Sequence, residues 1–516
     1  MKLSKSFIGL IIVSLVFYLY ATNSFNIFQS NSALEIVDFS IESSSNKIDI
    51  PSNPYRNPYY GDLHVHTKYS FDAYIFGVTA TPYDAYKFAT GQAIKHPLGF
   101  DMKLREPLDF YAVTDHGFYM GMIENYADTS SKMSKNEWTI PMHNLNRPEN
   151  VTVESTGERA DLFSSVVRQA IVIPHPWWHP NYIGAWLTNN IQLALKSFDY
   201  DVHKSAWADV ANAAEEFNDP GKFTTFIGYE FTTSTDVEGG NLHRNVIFNS
   251  SNAPIRPWTR IDSINPEDLW TWMDNLRDKG VDSLAMPHNS NGSNGQMFEV
   301  ETFRGNPINE EYAEKRMRNE PVVEMTQVKG TSDTHPLLSP DDEWADFEIM
   351  DKRVGSRPPT YSMPQGGYVR DAYLRGLTLD WEGRGNPYKF GLIGSSDTHT
   401  GAGAYDENNY WSKVGVLDGT DMGRGSVPLS QDRIDQLTQY SIDFNQPVST
   451  KQIEGKTYAD VGFDQWSASG LAVAWAEENT RDSIFQAFKR KETFATTGTR
   501  MAVRFFAGFD MESIDL

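Results

Sequence analysis

Two histidines that stand two residues apart, His64 and His66 in the segment GDLHVHT, are the first residues whose types and spacing suggest chemistry. In an extended strand, residues i and i+2 point to the same face, so both imidazoles can reach one metal ion or two adjacent ions. A lone HxH pair also arises by chance or as a core histidine pair. Its interpretation as a metal site therefore depends on the rest of the chain.

Four further segments share one form, a β-rich apolar run that ends in a residue type able to bind metals. The residues at these ends are Asp115 and His116, Glu230, His288, and Asp397 and His399. Stretches typical of helices, such as residues 266–280 and 309–320, lie between the predicted strands. Strand–helix alternation predicts a parallel sheet or barrel, in which the carboxyl ends of the strands converge on the active site. We therefore expect one rim to gather these side chains.

This set of side chains favours metal chemistry. Histidine and carboxylate ligands suit Zn²⁺, Mn²⁺ or Fe²⁺. A bridging carboxylate such as Glu230 would hold two cations close together, and neighbouring metal ions lower the pKa of a shared water. A Ser-His-Asp hydrolase would need a single histidine, and the sequence contains no GxSxG elbow. The pattern therefore predicts a metal-dependent hydrolase.

The composition narrows the function classes further. The chain has 516 residues, with 45 Lys+Arg against 68 Asp+Glu, and it shows no basic patch that would suit a nucleic-acid backbone. It contains no cysteine, which excludes disulfides, thiolate zinc sites, iron–sulfur clusters and a cysteine nucleophile. The sequence contains no repeat of fixed period, which disfavours a solenoid or a propeller. We therefore expect a globular protein without a nucleic-acid partner.

The N-terminal segment is predicted to lie outside the fold. A basic start precedes the apolar run of residues 7–21, which is shorter than the roughly 20 residues of a bilayer-spanning helix. This is typical of a secretory signal, but the cleavage site is poor, so an uncleaved membrane anchor stays an alternative. Residues 1–24 are predicted as signal peptide or anchor, and residues 25–54 as a flexible linker. The protein is thus predicted to be exported, as a periplasmic, secreted or membrane-anchored protein that meets a membrane only through an uncleaved N-terminus.

The order of these motifs resembles the PHP (polymerase and histidinol phosphatase) superfamily. The likeness is to a large bacterial branch that is described only as a domain of unknown function. The segments that carry it are GDLHVHTKYSFDA, YAVTDHG, NLHRNVIF, MPHNSNGSNGQMF, FGLIGSSDTHTG and AWAEENTRDSIFQAFKRKETFATTGTR. The resemblance implies an α/β fold, a distorted TIM-like (β/α)7 barrel of PHP type with long rim insertions. It also implies two or three divalent metal ions (Zn, Mn or Fe) as cofactors.

Carried over residue by residue, the resemblance implies a ligand set that includes six of the 12 histidines. The implied metal ligands are His64, His66, Asp72, His116, Glu230, His243, His288, Asp397 and His399. Asp72 lies one place later than the usual spacing of the family. Asp115 is implied to support the ligands or to bind metal occasionally. Arg244 would hold an anionic oxygen of the substrate or form a structural ion pair, and both alternatives stay open.

The domain organisation follows from the motifs. A PHP-like metal-dependent barrel is predicted over residues 55–420, with insertions at 118–222 and 340–385 that shape specificity. Residues 421–516 are predicted to complete the barrel and to begin a terminal region that is shorter than in the resembled branch, as in a truncated gene or in a member that lacks a terminal β-region. Glu324 and Lys329 are further pocket candidates, whereas His335 is predicted not to be a ligand.

Three functions fit these observations. The first is hydrolysis of a phosphoester in an anionic small molecule, which is the usual chemistry of the resembled family. The second is attack by the same metal site on the carbonyl of a carbamate, ester or amide, as in some relatives with a similar C-terminal sequence. The third is a non-catalytic exported binding protein. Turnover of aryl phosphates against aryl esters would separate the first two, and no turnover would favour the third.

Overall fold

The computed structural model describes residues 33–41, 50–171, 198–234, 240–354, 360–444, 448, 450–460, 463–466 and 469–508. The predicted signal or anchor segment, residues 1–24, and much of the predicted linker lie outside these ranges. Within the described ranges, no helix combines the length and the apolar character needed to cross a bilayer.

The described chain mixes helices and strands from one end to the other. The helices are α1 (Phe71–Ile75), α2 (Pro82–Ala89), α3 (Met122–Ala127), α4 (Thr156–Ile171), α5 (Tyr200–Phe217), α6 (Pro266–Arg277), α7 (Glu310–Asn319), α8 (Val369–Trp381), α9 (Asp421–Arg424), α10 (Gln431–Phe444) and α11 (Arg481–Arg490). Short 3₁₀ turns lie at Met133–Lys135, Glu137–Met142, Pro148–Asn150, Ser290–Gly292, Glu407–Asn409, Gly415–Leu417 and Phe463–Gln465.

The strands are mostly short and form several small sheets. They are β1 (Ile36–Asp38), β2 (Asn57–Asp62), β3 (Ile94–Lys95), β4 (Asp101–Met102), β5 (Phe110–Tyr111), β6 (Thr224–Thr225), β7 (Gly228–Phe231), β8 (Arg244–Phe248), β9 (Asn252–Pro254), β10 (Ser283–Pro287), β11 (Val322–Gln327), β12 (Gly330–Thr331), β13 (Gly391–Gly394), β14 (Thr450–Ile453), β15 (Lys456–Ala459), β16 (Leu471–Ala476) and β17 (Thr493–Thr496). This composition confirms the mixed α/β class predicted from the sequence.

Three sheets carry the residues of interest. The largest has five strands in the order β17-β16-β2-β5-β6, and its β2-β5 and β5-β6 pairs are parallel. The second has the order β10-β8-β7, and the third has the order β12-β11-β13. Isolated parallel bridges connect them, from His116 to Glu230 and from Val65 to Thr398. The sheets therefore follow one another around a common centre.

One part of the fold prediction stays a prediction, and another part is corrected. Among the described residues no strand pairing joins β10 to β11, so the predicted barrel is not seen as one closed sheet. The sheet is also not parallel throughout, because β8 runs antiparallel to both β7 and β10. Strand–helix alternation missed this because apolar patterning locates strands without fixing their direction.

The C-terminal helix α11 packs on the strands before they reach the candidate ligands. Thr480 caps it by accepting a hydrogen bond from the Ser483 backbone N–H, 3.3 Å away. Its buried face, Ile484, Phe485 and Phe488, belongs to one apolar cluster with strand residues. These residues, which lie in strands or directly after them, are Leu63, Phe110, Phe226, Ile247, Leu284, Val322 and Ile393. Burying each of the large side chains contributes about 1.5–3 kcal/mol, so α11 anchors the scaffold beneath the site.

Close contact between β2 and β5 requires a glycine. A Cβ atom at Gly61 would overlap both the ring and the carbonyl oxygen of Phe110. Gly61 lies opposite Phe110 on one side and opposite Ala472 of β16 on the other. The glycine that opens the GDLHVHT motif thus lets β2 lie between two strands just before its histidines.

The two predicted insertions are described in part. The insertion at 118–222 is described over 118–171 and 198–222, where it contributes α3, α4 and α5. The insertion at 340–385 is described over 340–354 and 360–385 and contains α8. Two histidines of the first insertion, His175 and His179, lie outside the described residues.

Candidate metal centre

The end of β2 places His64 and His66 on one face of the chain. Leu63 and Val65, which alternate with them, are fully buried in the core on the other face. The carboxylate of Asp62 accepts hydrogen bonds from the backbone N–H of His64 at 3.0 Å and of Ser396 at 3.1 Å. These bonds tie the end of β2 to the end of β13, so both strands deliver their histidines and carboxylates to the same place.

Glu230, at the end of β7, lies at the centre of the cluster and is 1% exposed. Its Oε2 atom lies 3.4 Å from Nε2 of His64 and 3.3 Å from Nε2 of His66. The Nε2 atom of His288, which follows β10, lies 3.7 Å from the same oxygen. Three imidazoles from two strand ends therefore surround one carboxylate oxygen.

The other oxygen of Glu230 faces a second pair of histidines. Its Oε1 atom lies 3.0 Å from Nδ1 of His116 and 2.6 Å from Nδ1 of His243. The hydroxyl of Thr232 also donates to Oε1 at 2.9 Å. Because each oxygen has its own group of histidines, Glu230 has the arrangement of a carboxylate that bridges two metal ions.

Asp72 joins the cluster from α1. Its Oδ2 atom lies 2.8 Å from Nε2 of His399 and 3.2 Å from Nε2 of His116. The side chain is 14% exposed, which is more than most of the cluster. Asp72 therefore lies where the cluster faces solvent, and its shifted spacing in the sequence does not remove it from the site.

Asp397 uses its two oxygens differently. Its Oδ1 atom lies 3.4 Å from Nε2 of His64 and 3.5 Å from Nε2 of His66. Its Oδ2 atom accepts hydrogen bonds from Gln327 Nε2 at 3.2 Å and Asn289 Nδ2 at 3.3 Å. The Oδ1 atom is therefore the oxygen of Asp397 that faces the histidines. The backbone of Asp397 is left-handed, with φ of 54°.

The cluster passes a test of fit for metal ions. Among the described residues, the buried Nε2 atoms of His64 and His66 and both ring nitrogens of His288 have no hydrogen-bond partner. Metal–nitrogen bonds of about 2.0–2.1 Å place two tetrahedral ligand atoms about 3.4 Å apart, close to the separations seen here. The groups whose ligand atoms lie close enough to share an ion are His66, His116 and His399; His64, His66 and Asp397; His64, His288 and Glu324; and His116, Glu230 and His243.

Hydrogen bonds hold the ligand histidines in position. Glu324 Oε2 lies 2.9 Å from Nδ1 of His64, which leaves Nε2 of that ring for a metal ion. Ser70 Oγ lies 2.8 Å from Nδ1 of His66 and donates its own proton to Asp115 at 2.6 Å. His66 therefore donates from Nδ1, and its Nε2 lone pair points into the cluster.

Asp115 supports the site without joining the cluster. Both of its oxygens are occupied by Thr67 and Ser70, since Thr67 donates from its backbone N–H and its hydroxyl at 2.6 Å. The adjacent His116 uses its backbone N–H to bond Ser70 Oγ at 3.0 Å. This placement favours the alternative in which Asp115 supports the ligands over the one in which it binds metal or acts as a catalytic group.

Arg244 points away from the cluster. It follows His243 on β8, so in a regular strand its side chain lies on the opposite face. Its Nε donates to Glu320 Oε1 at 2.8 Å, and Trp270 Nε1 donates to the same oxygen at 2.8 Å. Of the two alternatives left open by the sequence, this placement favours the structural ion pair over contact of Arg244 with the substrate.

Two lysines contact Asp397, and only one was considered from the sequence. Lys329, a pocket candidate, contacts Oδ2 of Asp397. Lys413 is 2% exposed, and its Nζ lies 3.2 Å from Asp397 Oδ1 and 2.8 Å from His399 Nδ1. Sequence reasoning missed Lys413 because it lies in an irregular segment without a periodic pattern, and only the tertiary fold brings it to the site.

Burial and charge shift the titration of the cluster. Burial lowers the pKa of His64, but Asp397 and Glu324 outweigh it and raise the pKa to about 10. Burial also lowers the pKa of His116, but the carboxylates of Glu230 and Asp72 outweigh this effect and raise the pKa to about 10. Burial and the neighbouring His399 hold the pKa of His66 well below its usual value. Without a bound cation, the rings of His64 and His116 are thus protonated at neutral pH, whereas the ring of His66 is neutral.

These features define a buried histidine and carboxylate cluster that can hold metal ions on a mixed α/β scaffold. The family described as "Protein of unknown function (DUF3604)" matches residues 53–516, and the chain belongs to this family. The comparison with curated proteins gives no match. Among solved structures, the chain is similar to a two-domain protein containing a predicted PHP-like metal-dependent phosphoesterase from Bacteroides vulgatus ATCC 8482. The identity is 13%, the match covers 88% of this chain and 69% of that chain, and the TM-score is 0.30.

Proposed function

We propose that this protein is an exported metal-dependent hydrolase that activates water with two or three divalent ions and cleaves phosphoesters. The observation that carries the proposal is the convergence of histidine nitrogens on both oxygens of the buried Glu230 carboxylate. The sequence motifs support a distorted barrel of PHP type as the scaffold. The basic and apolar N-terminal pattern supports export.

The residues that would hold the ions fall into overlapping groups. His66, His116, His399 and Asp72 would hold one ion, and Glu230 would share ions with the groups on either side of it. The remaining candidate ligands are His64, His243, His288 and Asp397. Ions of Zn, Mn or Fe would supply activation of water and neutralisation of charge on the reacting oxygens.

The residues of the chain itself have separate tasks. Glu324 and Ser70 fix the rings of His64 and His66, so that each presents one nitrogen to the cluster. Lys413 holds Asp397 and His399 from the buried side. Lys329 lies at the more open side, 14% exposed, where its ammonium can bind an anionic oxygen of the substrate. We propose no side-chain nucleophile.

The charge balance favours a phosphoester over a neutral ester or amide. The ligand carboxylates are Asp72, Glu230 and Asp397, and Glu324 adds a fourth negative charge nearby. Two lysines and three divalent cations would outweigh these four charges together with those of the buried Asp62 and Asp115 beside the ligands. A surplus of positive charge in a buried site attracts an anionic substrate more strongly than a neutral one.

The test compares substrate classes on one protein. The full chain, loaded in turn with Zn²⁺, Mn²⁺ and Fe²⁺, is assayed on aryl phosphate monoesters, aryl phosphodiesters, aryl acetates and aryl carbamates. We expect hydrolysis of the phosphates, a loss of ~100-fold or more in Asp397→Asn, and full activity in the control His335→Ala. Activity confined to acetates or carbamates would move the proposal to carbonyl chemistry. No turnover by metal-loaded protein would refute hydrolysis and favour a binding protein.

A further inference from the structure

Arg260 is a buried arginine for which the described residues supply no acidic partner. Its side chain is 6% exposed, and its Nε atom has no hydrogen-bond partner among those residues. Within the described part of the chain, its guanidinium makes no ion pair and faces the ring of Phe118, with 5.6 Å between Cζ and the ring centroid. Burial lowers the pKa of Arg260 to about 10. This side chain therefore carries an uncompensated charge.

The other deeply buried arginines do not share this property. Arg244 and Arg316 both pair with Glu320, at 2.8 and 3.0 Å. Arg159 donates to several backbone carbonyls, including that of Leu145 at 2.7 Å. An isolated charge in a protein interior is strongly unfavourable, so a buried group of this kind calls for a partner beyond the residues that the structure describes.

The acidic residue nearest to Arg260 in the sequence already pairs with another arginine. Asp262, two residues away, binds both terminal nitrogens of Arg256 at 2.7 and 2.9 Å. The same carboxylate accepts the backbone N–H of Thr259 at 2.9 Å. These bonds also fix the backbone of the loop that carries Arg260.

Arg260 lies beside the metal centre. A Cβ atom at Gly117 would lie 3.2 Å from the methyl group of the adjacent Thr259, and the Gly117 backbone N–H donates to the Glu230 carbonyl at 2.8 Å. The Phe118 ring that Arg260 faces lies 6.2 Å from the Phe71 ring, which lies 5.0 Å from the His116 ring. Two aromatic rings thus separate the guanidinium from a candidate ligand.

We propose that Arg260 forms an oxyanion subsite beside the metal centre, which takes a second anionic group of the substrate, a phosphate, sulfate or carboxylate. The planar guanidinium fork matches such oxyanions with two parallel hydrogen bonds. The separation from His116 assigns the subsite to a group distinct from the ester that reacts. The evidence for an oxyanion subsite is the environment of Arg260 and does not depend on the proposed function. The assignment of this subsite to the substrate rests on the proposed function.

The direct test measures oxyanion binding without metal. The full chain is treated with chelator, and its thermal unfolding is followed as sodium sulfate replaces sodium chloride at constant ionic strength. We expect a saturable rise in the Tm of the wild type and of the control Arg304→Gln, an exposed arginine. Arg260→Met should unfold at a higher temperature than wild type without sulfate, because an unpaired buried charge is gone, and should not respond to sulfate. Arg260→Lys, which keeps the charge, should respond weakly.

An equal sulfate shift in wild type and Arg260→Met, or no shift in wild type, would overturn the subsite. A second measurement assigns it to the substrate. On metal-loaded protein, Arg260→Met should raise KM for 4-carboxyphenyl phosphate by roughly 10-fold to 100-fold with little change in kcat, while KM for phenyl phosphate stays nearly constant. An equal rise for both substrates would contradict the assignment. If no phosphate is hydrolysed at all, the proposed function fails, and the sulfate result still decides the subsite.

Discussion

At the scale of single residues, the ligand histidines differ in how the protein prepares them. His64 has its Nδ1 atom against Glu324, and His66 has its Nδ1 atom against Ser70. A carboxylate partner makes an imidazole a stronger ligand than a hydroxyl partner does, because it stabilises positive charge on the ring. The two histidines of the HxH pair are therefore not equivalent, although the sequence presents them alike.

Glu324→Gln tests this difference. The substitution keeps a hydrogen-bond acceptor near His64 but removes the negative charge, so we expect metal affinity to fall by roughly 10-fold to 100-fold. Competition with a chromogenic chelator measures it. Glu301→Gln, a surface carboxylate, is the matched control and should bind metal as wild type does. Unchanged affinity in Glu324→Gln would show that Glu324 does not tune His64.

The raised pKa values of His64 and His116 predict how metal uptake depends on pH. Without metal, both values are raised to about 10 from 6.5, so the protonated rings stabilise the fold below about pH 6.5, and this contribution is lost as pH rises through about 10. A metal ion must displace those protons. We expect the affinity for Zn²⁺ to rise by roughly tenfold per pH unit for each proton displaced between pH 6 and 9. Calorimetry in buffers of different ionisation enthalpy should show proton release, and affinity independent of pH would contradict this prediction.

Residue types and spacing located the candidate ligands but not their surroundings. His64, His66 and Glu230 could be singled out because strand ends in α/β proteins gather at one rim. The roles of Ser70 and Lys413 could not, because a serine or lysine in an irregular segment has no signal of its own. Their contribution exists only through side chains that are distant in sequence.

At the scale of elements, the start of β8 places a candidate metal ligand and a structural arginine on opposite sides of the chain. His243, which directly precedes β8, faces Glu230, and Arg244, the first residue of β8, pairs with Glu320 on the other side. The alternation of a strand makes these adjacent residues serve different regions of the molecule. The two roles of Arg244 could not be distinguished from the sequence alone, because the acid that pairs with it follows α7 in another part of the chain.

A pair of substitutions on β8 measures this separation. Arg244→Met should lower the free energy of unfolding by about 1–3 kcal/mol, since Glu320 loses one charged donor but keeps Arg316 and Trp270, and metal content per folded chain should stay unchanged. His243→Ala should do the reverse, with less metal bound and little change in metal-free stability. Urea unfolding and elemental analysis give both quantities. Loss of metal in a folded Arg244→Met protein would contradict the assignment.

Strand positions were easier to predict than strand directions. The apolar runs before Asp115, Glu230, His288 and Asp397 do contain β5, β7, β10 and β13. The antiparallel pairing of β8 with both neighbours depends on connections whose path the apolar pattern does not encode. Despite this antiparallel pairing, the side chains that follow these strands meet around Glu230.

At the scale of the whole molecule, the site exists only in the folded chain. Its candidate ligands extend from His64 to His399 and come from several sheets. In the unfolded chain these side chains are far apart and bind metal weakly. Metal binding is therefore linked to the free energy of unfolding.

Removal of metal tests this linkage. We expect chelator-treated protein to unfold at a lower temperature than metal-loaded protein, with ~2.7 kcal/mol of stabilisation restored when free metal reaches 100 times its Kd. Scanning calorimetry over a range of Zn²⁺ or Mn²⁺ concentrations measures it. A transition temperature that does not depend on metal would mean that no ion binds preferentially to the folded chain.

Elemental analysis tests the central claim most directly. The full chain and the double variant His64→Ala/His66→Ala are purified in parallel, with His335→Ala as the control, and the bound metal per chain is determined by mass spectrometry. Our account predicts two or three equivalents of Zn, Mn or Fe in the wild type and the control, and a clear reduction in the double variant. A well-folded wild type that binds none of these ions, even after they are added, would contradict it.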